Sequence, residues 1–286
     1  MSSIDTHLHL FDPGALSYPW LASPGLELLN RAYLLKEYEA AKAGVGVEGS
    51  IFIECDPDAA QAVDEARFAL DLAAQPDSRL LGVVARVSPE SDIFVAELAA
   101  LLALPGANRH LKGVRRVLHT QADELSRSPR FRENIRALGR AGLSFDLCVL
   151  ARQLPVACEL IAACPEVSFI LDHCGVPDVK NHTLDPWRDD LAAIARQPNV
   201  AYKLSGLVAY AAPGWTEDDL RPYVEHTIAC FGWDRVLFGS DWPVCLLGAP
   251  LASWHAALSS LLTSASADER DRLFRRNARR LYRLHP

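Results

Sequence analysis

Along the chain, short runs of consecutive apolar residues alternate with longer stretches in which apolar positions recur every three or four residues. Ser-Ile-Phe-Ile at 50–53, Leu-Leu-Gly-Val-Val-Ala at 80–85 and Ser-Phe-Ile-Leu at 168–171 have no polar face. Strands buried on both faces read this way, as in a parallel sheet covered by helices. With these, eight short β-rich runs are predicted as strands: 4–8, 50–54, 80–86, 111–116, 144–148, 168–172, 200–205 and 235–239. The stretches between them read as helices. One is predicted over 57–74, with Ala59, Val63, Ala66, Leu70 and Ala73 on one face. Asp56-Pro57, Ser88-Pro89, Ser128-Pro129 and Asp185-Pro186 read as helix starts, and Thr216…Asp219 and Ser266…Glu269 as capping boxes.

Eight strand–helix units predict an α/β fold, a (β/α)8 TIM barrel, as a single domain over 1–286. A doubly wound open sheet is the alternative. It usually places a glycine-rich loop after its first strand, where this chain places histidines. The Pro- and Gly-rich segment 12–32 is expected to lie over the active-site face of the barrel.

Composition narrows the function. The 286 residues carry 29 basic and 36 acidic side chains, a net charge of −7, without a basic stripe. That argues against nucleic acid and anionic membranes as partners. The arginines from Arg270 to Arg283 follow Asp268, Glu269 and Asp271 and read as a solvated C-terminal helix. No run is long and apolar enough to span a membrane, and the first residues, Met1 included, lack the pattern of a secretory signal. Seven scattered cysteines without a Cys-x-x-Cys pair read as free thiols, so a cytoplasmic location is expected. Cys174 and Cys245 lie near the chemistry-bearing motifs, where a nucleophilic role competes with a structural one.

Asp5-Thr6-His7-Leu8-His9 ends the first strand. Residues two apart in a strand point the same way, so His7 and His9 offer half of a divalent-metal site or a hydrogen-bonded pair. Asp241, in Gly239-Ser-Asp-Trp-Pro, follows the last strand. In a closed barrel it lies beside the first strand, placed to ligate a metal and to take a proton from water, or simply to cap a turn. His173 ends the sixth strand. Glu54 ends the second, Arg115 and His119 belong to the end of the fourth, Asp146 lies within the fifth and Lys203 within the seventh. Each alone also fits an internal ion pair. Trp20 can line a pocket or pack in a loop. His110, His182, His226, His255 and His285 read as structural or surface residues.

These motifs, together with Tyr18-Pro-Trp-Leu, Leu171-Asp-His-Cys-Gly-Val-Pro and Tyr202-Lys-Leu-Ser-Gly-Leu, resemble the amidohydrolase-related lactonase family over nearly the whole chain. The resemblance implies a barrel that hydrolyses a small lactone, most simply a sugar (aldono) lactone. A dicarboxylate or muconate-type lactone, an aromatic-acid decarboxylase and a catalytically dead binding barrel are the alternatives. It implies Asp241, His173 and Arg115 as catalytic residues, with Asp241 the general base. His7, His9, His173, Asp241 and Glu54 are the implied ligands of one divalent ion such as Zn2+, although the family includes members that work without metal. Arg115, His119, Asp146, Lys203 and Trp20 are the implied substrate contacts. No lysine is placed to bridge two metals. Both a monomer and a homo-oligomer are compatible with the sequence.

Overall fold

A computed structural model describes residues 2–284. Its eight strands are β1 (Ser3–Leu8), β2 (Val47–Ile53), β3 (Leu80–Arg86), β4 (Leu111–Val117), β5 (Ser144–Cys148), β6 (Phe169–Leu171), β7 (Val200–Leu204) and β8 (Val236–Phe238). They pair in parallel in chain order. Beyond β8 the chain returns to β1. Leu8 bridges Trp242, Asp241 N–H donates to the His7 carbonyl at 2.9 Å and His9 N–H to the Trp242 carbonyl at 2.8 Å. An open doubly wound sheet is thereby excluded. The runs at 168–172 and 235–239 give strands of three residues, because Asp172 and Gly239 belong to the irregular rim of the site.

The helices are α1 (Leu35–Ala41), α2 (Ala62–Ala73), α3 (Phe94–Leu102), α4 (Ala107–His110), α5 (Pro129–Arg140), α6 (Leu154–Ala163), α7 (Trp187–Ala195), α8 (Glu217–Phe231), α9 (Leu251–Leu261), α10 (Ala267–Asp271) and α11 (Asn277–Leu281). Ser128 caps α5 by accepting from Phe131 N–H, and both expected capping boxes form, at Thr216 and Ser266. Three expected starts are displaced. Asp56 sits at φ +50° and pairs with Arg86, so Asp58 caps the next turn and α2 begins at Ala62. Helix α3 begins at Phe94, beyond Ser88-Pro89, and α7 begins at Trp187 with Pro186 as its N-cap. The buried face of α2 therefore uses Ala66, Ala69, Leu70 and Ala73 with the carboxyl of Glu65, while Ala59 is exposed.

The barrel interior is filled at one end by Ile4, Ile51, Ile53, Val84, Ile170 and Leu237. The C-terminal segment closes that end, burying Ala278, Tyr282 and Leu284 against them. The arginine-rich stretch is thus solvated on one face only. Arg272 and Arg276 pair with Asp268, and Arg279 pairs with Glu48, while Leu273 and Phe274 are buried. His226 and His255 pack against aromatic rings and His182 is exposed, as expected of structural and surface histidines; His285 lies outside the described residues.

Candidate active site

The carboxyl ends of the strands converge on a cleft of about 350 Å³. The segment after β1 forms part of its wall through Trp20, Leu26 and Leu29. Trp20 donates its indole N–H to the Cys55 carbonyl at 2.7 Å, which fixes the ring. His119, Thr120 and Tyr210 line the same cleft, and His9, Arg115, His173 and Asp241 lie at its floor.

The seam between β1 and β8 sets that floor. Asp5 accepts from Ser240 N–H at 2.7 Å, Ser240 Oγ at 2.5 Å and Tyr38 Oη at 2.8 Å. It pins the segment before Asp241 to β1, and nothing in the hydrophobic pattern reveals this. Gly239 completes the fit, since a Cβ there would lie 2.8 Å from His7 Cβ and 3.1 Å from Ser205 Cβ. His173 and Asp241 take φ of +52° and +59°, left-handed values that cost non-glycine residues energy and concentrate at functional sites.

His7 Nε2 and His9 Nε2 face each other at 3.1 Å, and Asp241 Oδ1 lies 3.8 and 3.5 Å from them. Asp241 Oδ1 is buried with no hydrogen-bond partner. Three ligand atoms on a tetrahedral ion with bonds of about 2.1 Å would be about 3.4 Å apart, close to these separations. The donor set therefore fits one divalent cation held by His7, His9 and Asp241. His173 stands beside it, its Nδ1 3.7 Å from Asp241 Oδ2 and 3.1 Å from Ser205 Oγ.

Beneath lies a layer of buried charge. Lys203 Nζ is 2.6 Å from Asp146 Oδ2 and 3.0 Å from Asp172 Oδ1. Asp172 Oδ1 is 3.3 Å from His7 Nδ1. Arg115 donates from Nε to Glu54 Oε1 and from Nη2 to the Glu54 carbonyl, each at 2.5 Å, with Nη1 3.5 Å from Asp172. Four carboxyls, Glu54, Asp146, Asp172 and Asp241, thus face two cations, and one divalent ion would balance the excess. Burial pushes the Asp241 carboxyl up to about 6, against the opposing pull of His173 and Arg115. Burial also holds His9 at about 4 and lowers His7 and His173. These imidazoles are neutral at neutral pH, the form that ligates metal.

Of the residues singled out in the sequence, His9, His173, Asp241, Arg115, His119 and Trp20 line the cleft, and His7 lies fully buried beneath it, facing His9 and Asp241. Glu54 does not reach the ion position, because its carboxylate is held by Arg115 and by Asp56 N–H at 2.6 Å. Asp146 and Lys203 are fully buried below His7 and do not line the cleft, since each precedes its strand's end. Cys174 and Cys245 are fully buried as well. Neither lines the cleft, and burial pushes the Cys174 thiol up to about 12 and Cys245 well above its ordinary range, which disfavours the thiolate a nucleophile needs. Tyr210 and Cys148 are cleft residues that carry no sequence signal, lying in a short turn and at a strand end.

An eight-stranded parallel barrel with a histidine–aspartate centre at the carboxyl ends of its strands has the layout of a barrel enzyme. Residues 4–284 match the model of the amidohydrolase family, and the chain belongs to that family. It is 31% identical over 294 residues to L-fucono-1,5-lactonase of Burkholderia multivorans, covering 98% of this chain and 96% of that one. It is 28% identical to 4-sulfomuconolactone hydrolase of Rhizobium radiobacter, over 84% of this chain and 75% of the other. A crystal structure of an amidohydrolase from Burkholderia multivorans with bound zinc superimposes with a TM-score of 0.90 at 29% identity, covering all of both chains. Among the described residues no helix is long and apolar enough to cross a membrane.

Proposed function

We propose that this protein hydrolyses the ring of a small neutral lactone, a sugar lactone before a carboxylated one, with Asp241 as general base. The observation that carries this reading is the buried Asp241 carboxylate, with one oxygen unpartnered, facing two imidazole nitrogens at the floor of the cleft. Relatives named as lactonases support the reaction class.

A divalent ion at His7, His9 and Asp241 would supply Lewis-acid stabilisation of developing negative charge. Asp241 takes the proton of the attacking water and returns it to the ring oxygen as the carbonyl–oxygen bond breaks, giving the hydroxy acid. His173, oriented by Ser205, stands beside the second Asp241 oxygen at 3.7 Å. Arg115, held in place by Glu54, stands at the cleft floor beside the reacting carbonyl as an N–H donor. His119, Thr120 and Tyr210 offer partners for substrate hydroxyls, and Trp20 an apolar wall. Arg115 is the one cation among the described residues lining the cleft, and Glu54 already matches it. Asp56 and Asp241 are acidic, so a substrate carboxylate meets no spare positive charge, which favours a neutral ring.

Asp241→Asn tests the assignment. Proton transfer by a positioned base is worth about 10² to 10⁴ in rate. Acid release from an aldonolactone is expected to fall by at least about 10² with the circular dichroism spectrum unchanged. Near-wild-type turnover in the folded variant would remove Asp241 from the role.

A further inference from the structure

We infer that Asp172 and Lys203 are positioning residues that decide which nitrogen of His7 carries its proton, and that the proton changes nitrogen when a divalent ion enters. The inference rests on the metal-assisted reading of the site. It begins with His9, whose Nδ1 lies 2.9 Å from the Ile53 carbonyl oxygen. A carbonyl only accepts, so the His9 proton is on Nδ1 and Nε2 is bare. His7 Nε2 stands 3.1 Å from that bare nitrogen. Without an ion, two lone pairs at this distance repel, and a proton on His7 Nε2 donating to His9 resolves the contact. His7 Nδ1 is then bare, and Lys203 Nζ, at 3.3 Å, donates to it.

An ion between the rings reverses the requirement. Both Nε2 atoms must then present lone pairs, so the His7 proton must sit on Nδ1. The acceptor for it is in place, since Asp172 Oδ1 is 3.3 Å from His7 Nδ1. Both Asp172 oxygens are buried without a hydrogen-bond partner, although Lys203 and Arg115 neutralise their charge. One side of the ring therefore meets both a donor, Lys203, and an acceptor, Asp172, at equal distance. Arg115 Nη1, 3.4 Å from His7 Nε2, carries only donors and opposes a proton there, so the Nε2 form is the one an entering ion displaces. In the exchange one proton leaves Nε2 and one arrives at Nδ1, with water as carrier, and the ring is neutral before and after. Carboxylates behind metal-bound histidines typically change metal affinity about 10- to 100-fold when removed.

Histidine 15N–1H correlation spectra of the full chain, metal-free and zinc-loaded, test this directly. The expected result is His7 protonated on Nε2 without zinc and on Nδ1 with it, while His9 keeps its proton on Nδ1 throughout. An Nδ1 proton on His7 in both states would overturn the exchange while a calorimetric zinc stoichiometry of one left the metal site standing. Absence of zinc binding would overturn both. Asp172→Asn, nearly the same shape, is expected to weaken zinc binding about 10- to 100-fold with the fold retained. Lys203→Arg keeps the charge and is expected to hold zinc affinity closer to wild type. Zinc binding by folded Asp172→Asn as tight as wild type would overturn the positioning role, and the wild-type spectra decide the exchange if that variant does not fold.

Discussion

Asp241 and the two histidines of β1 share one buried space, so protons and metal compete there. Burial lifts the Asp241 carboxyl to about 6 and holds His9 at about 4. In the metal-free protein, lowering the pH therefore protonates Asp241 before His9. Zinc affinity is expected to be flat above about pH 7 and to weaken roughly tenfold per unit below about pH 6, as one proton is displaced per ion. Calorimetric titrations at several pH values measure this, and an affinity unchanged down to pH 5 would contradict it. Gly239 makes a second residue-level case. A methyl there meets His7 Cβ and Ser205 Cβ, both tied to backbone, so neither can swing away. Gly239→Ala is expected to displace His7 and abolish zinc binding, read by metal content after dialysis. The sequence exposes His7, His9, His173 and Asp241 because each is a polar residue at the end of an apolar run. It hides the partners, since no pattern says that Glu54 is consumed by Arg115 or that Lys203 lies under His7.

At the scale of elements, the strands were legible because each is buried on both faces, so that β3 and β6 read as apolar runs and the others are largely apolar outside the residues of the site and the charged layer beneath it. Helix starts were legible where a side chain caps locally, as at Ser128, Thr216 and Ser266. They failed at Asp56, which faces Arg86 at the rim of the barrel, and at Ser88, beyond which the helix begins only at Phe94. The C-terminal segment was half legible. Its arginines announce a solvated face, but the closure of the barrel floor depends on Tyr282, which donates to Asp146 at 2.6 Å across 136 residues. Removing that hydroxyl leaves a buried carboxyl short of a partner, so Tyr282→Phe is expected to cost about 1–3 kcal/mol in urea unfolding. A variant as stable as wild type would show that Lys203 and Ser144 satisfy Asp146 without it.

The whole molecule joins a floor sealed by its C-terminus, a buried charged layer and an open cleft of mixed lining. Its cleft has no unmatched cation among the described lining residues, the feature on which the proposed preference for a neutral ring rests. The most direct test is acid release from a panel of aldonolactones and carboxylated lactones, measured by pH-stat on metal-free and zinc-loaded protein. The account predicts turnover of a neutral sugar lactone by the zinc-loaded form, a large loss on metal removal and much weaker action on carboxylated rings. Silence across all lactones, or a preference for the carboxylated ones, would contradict it.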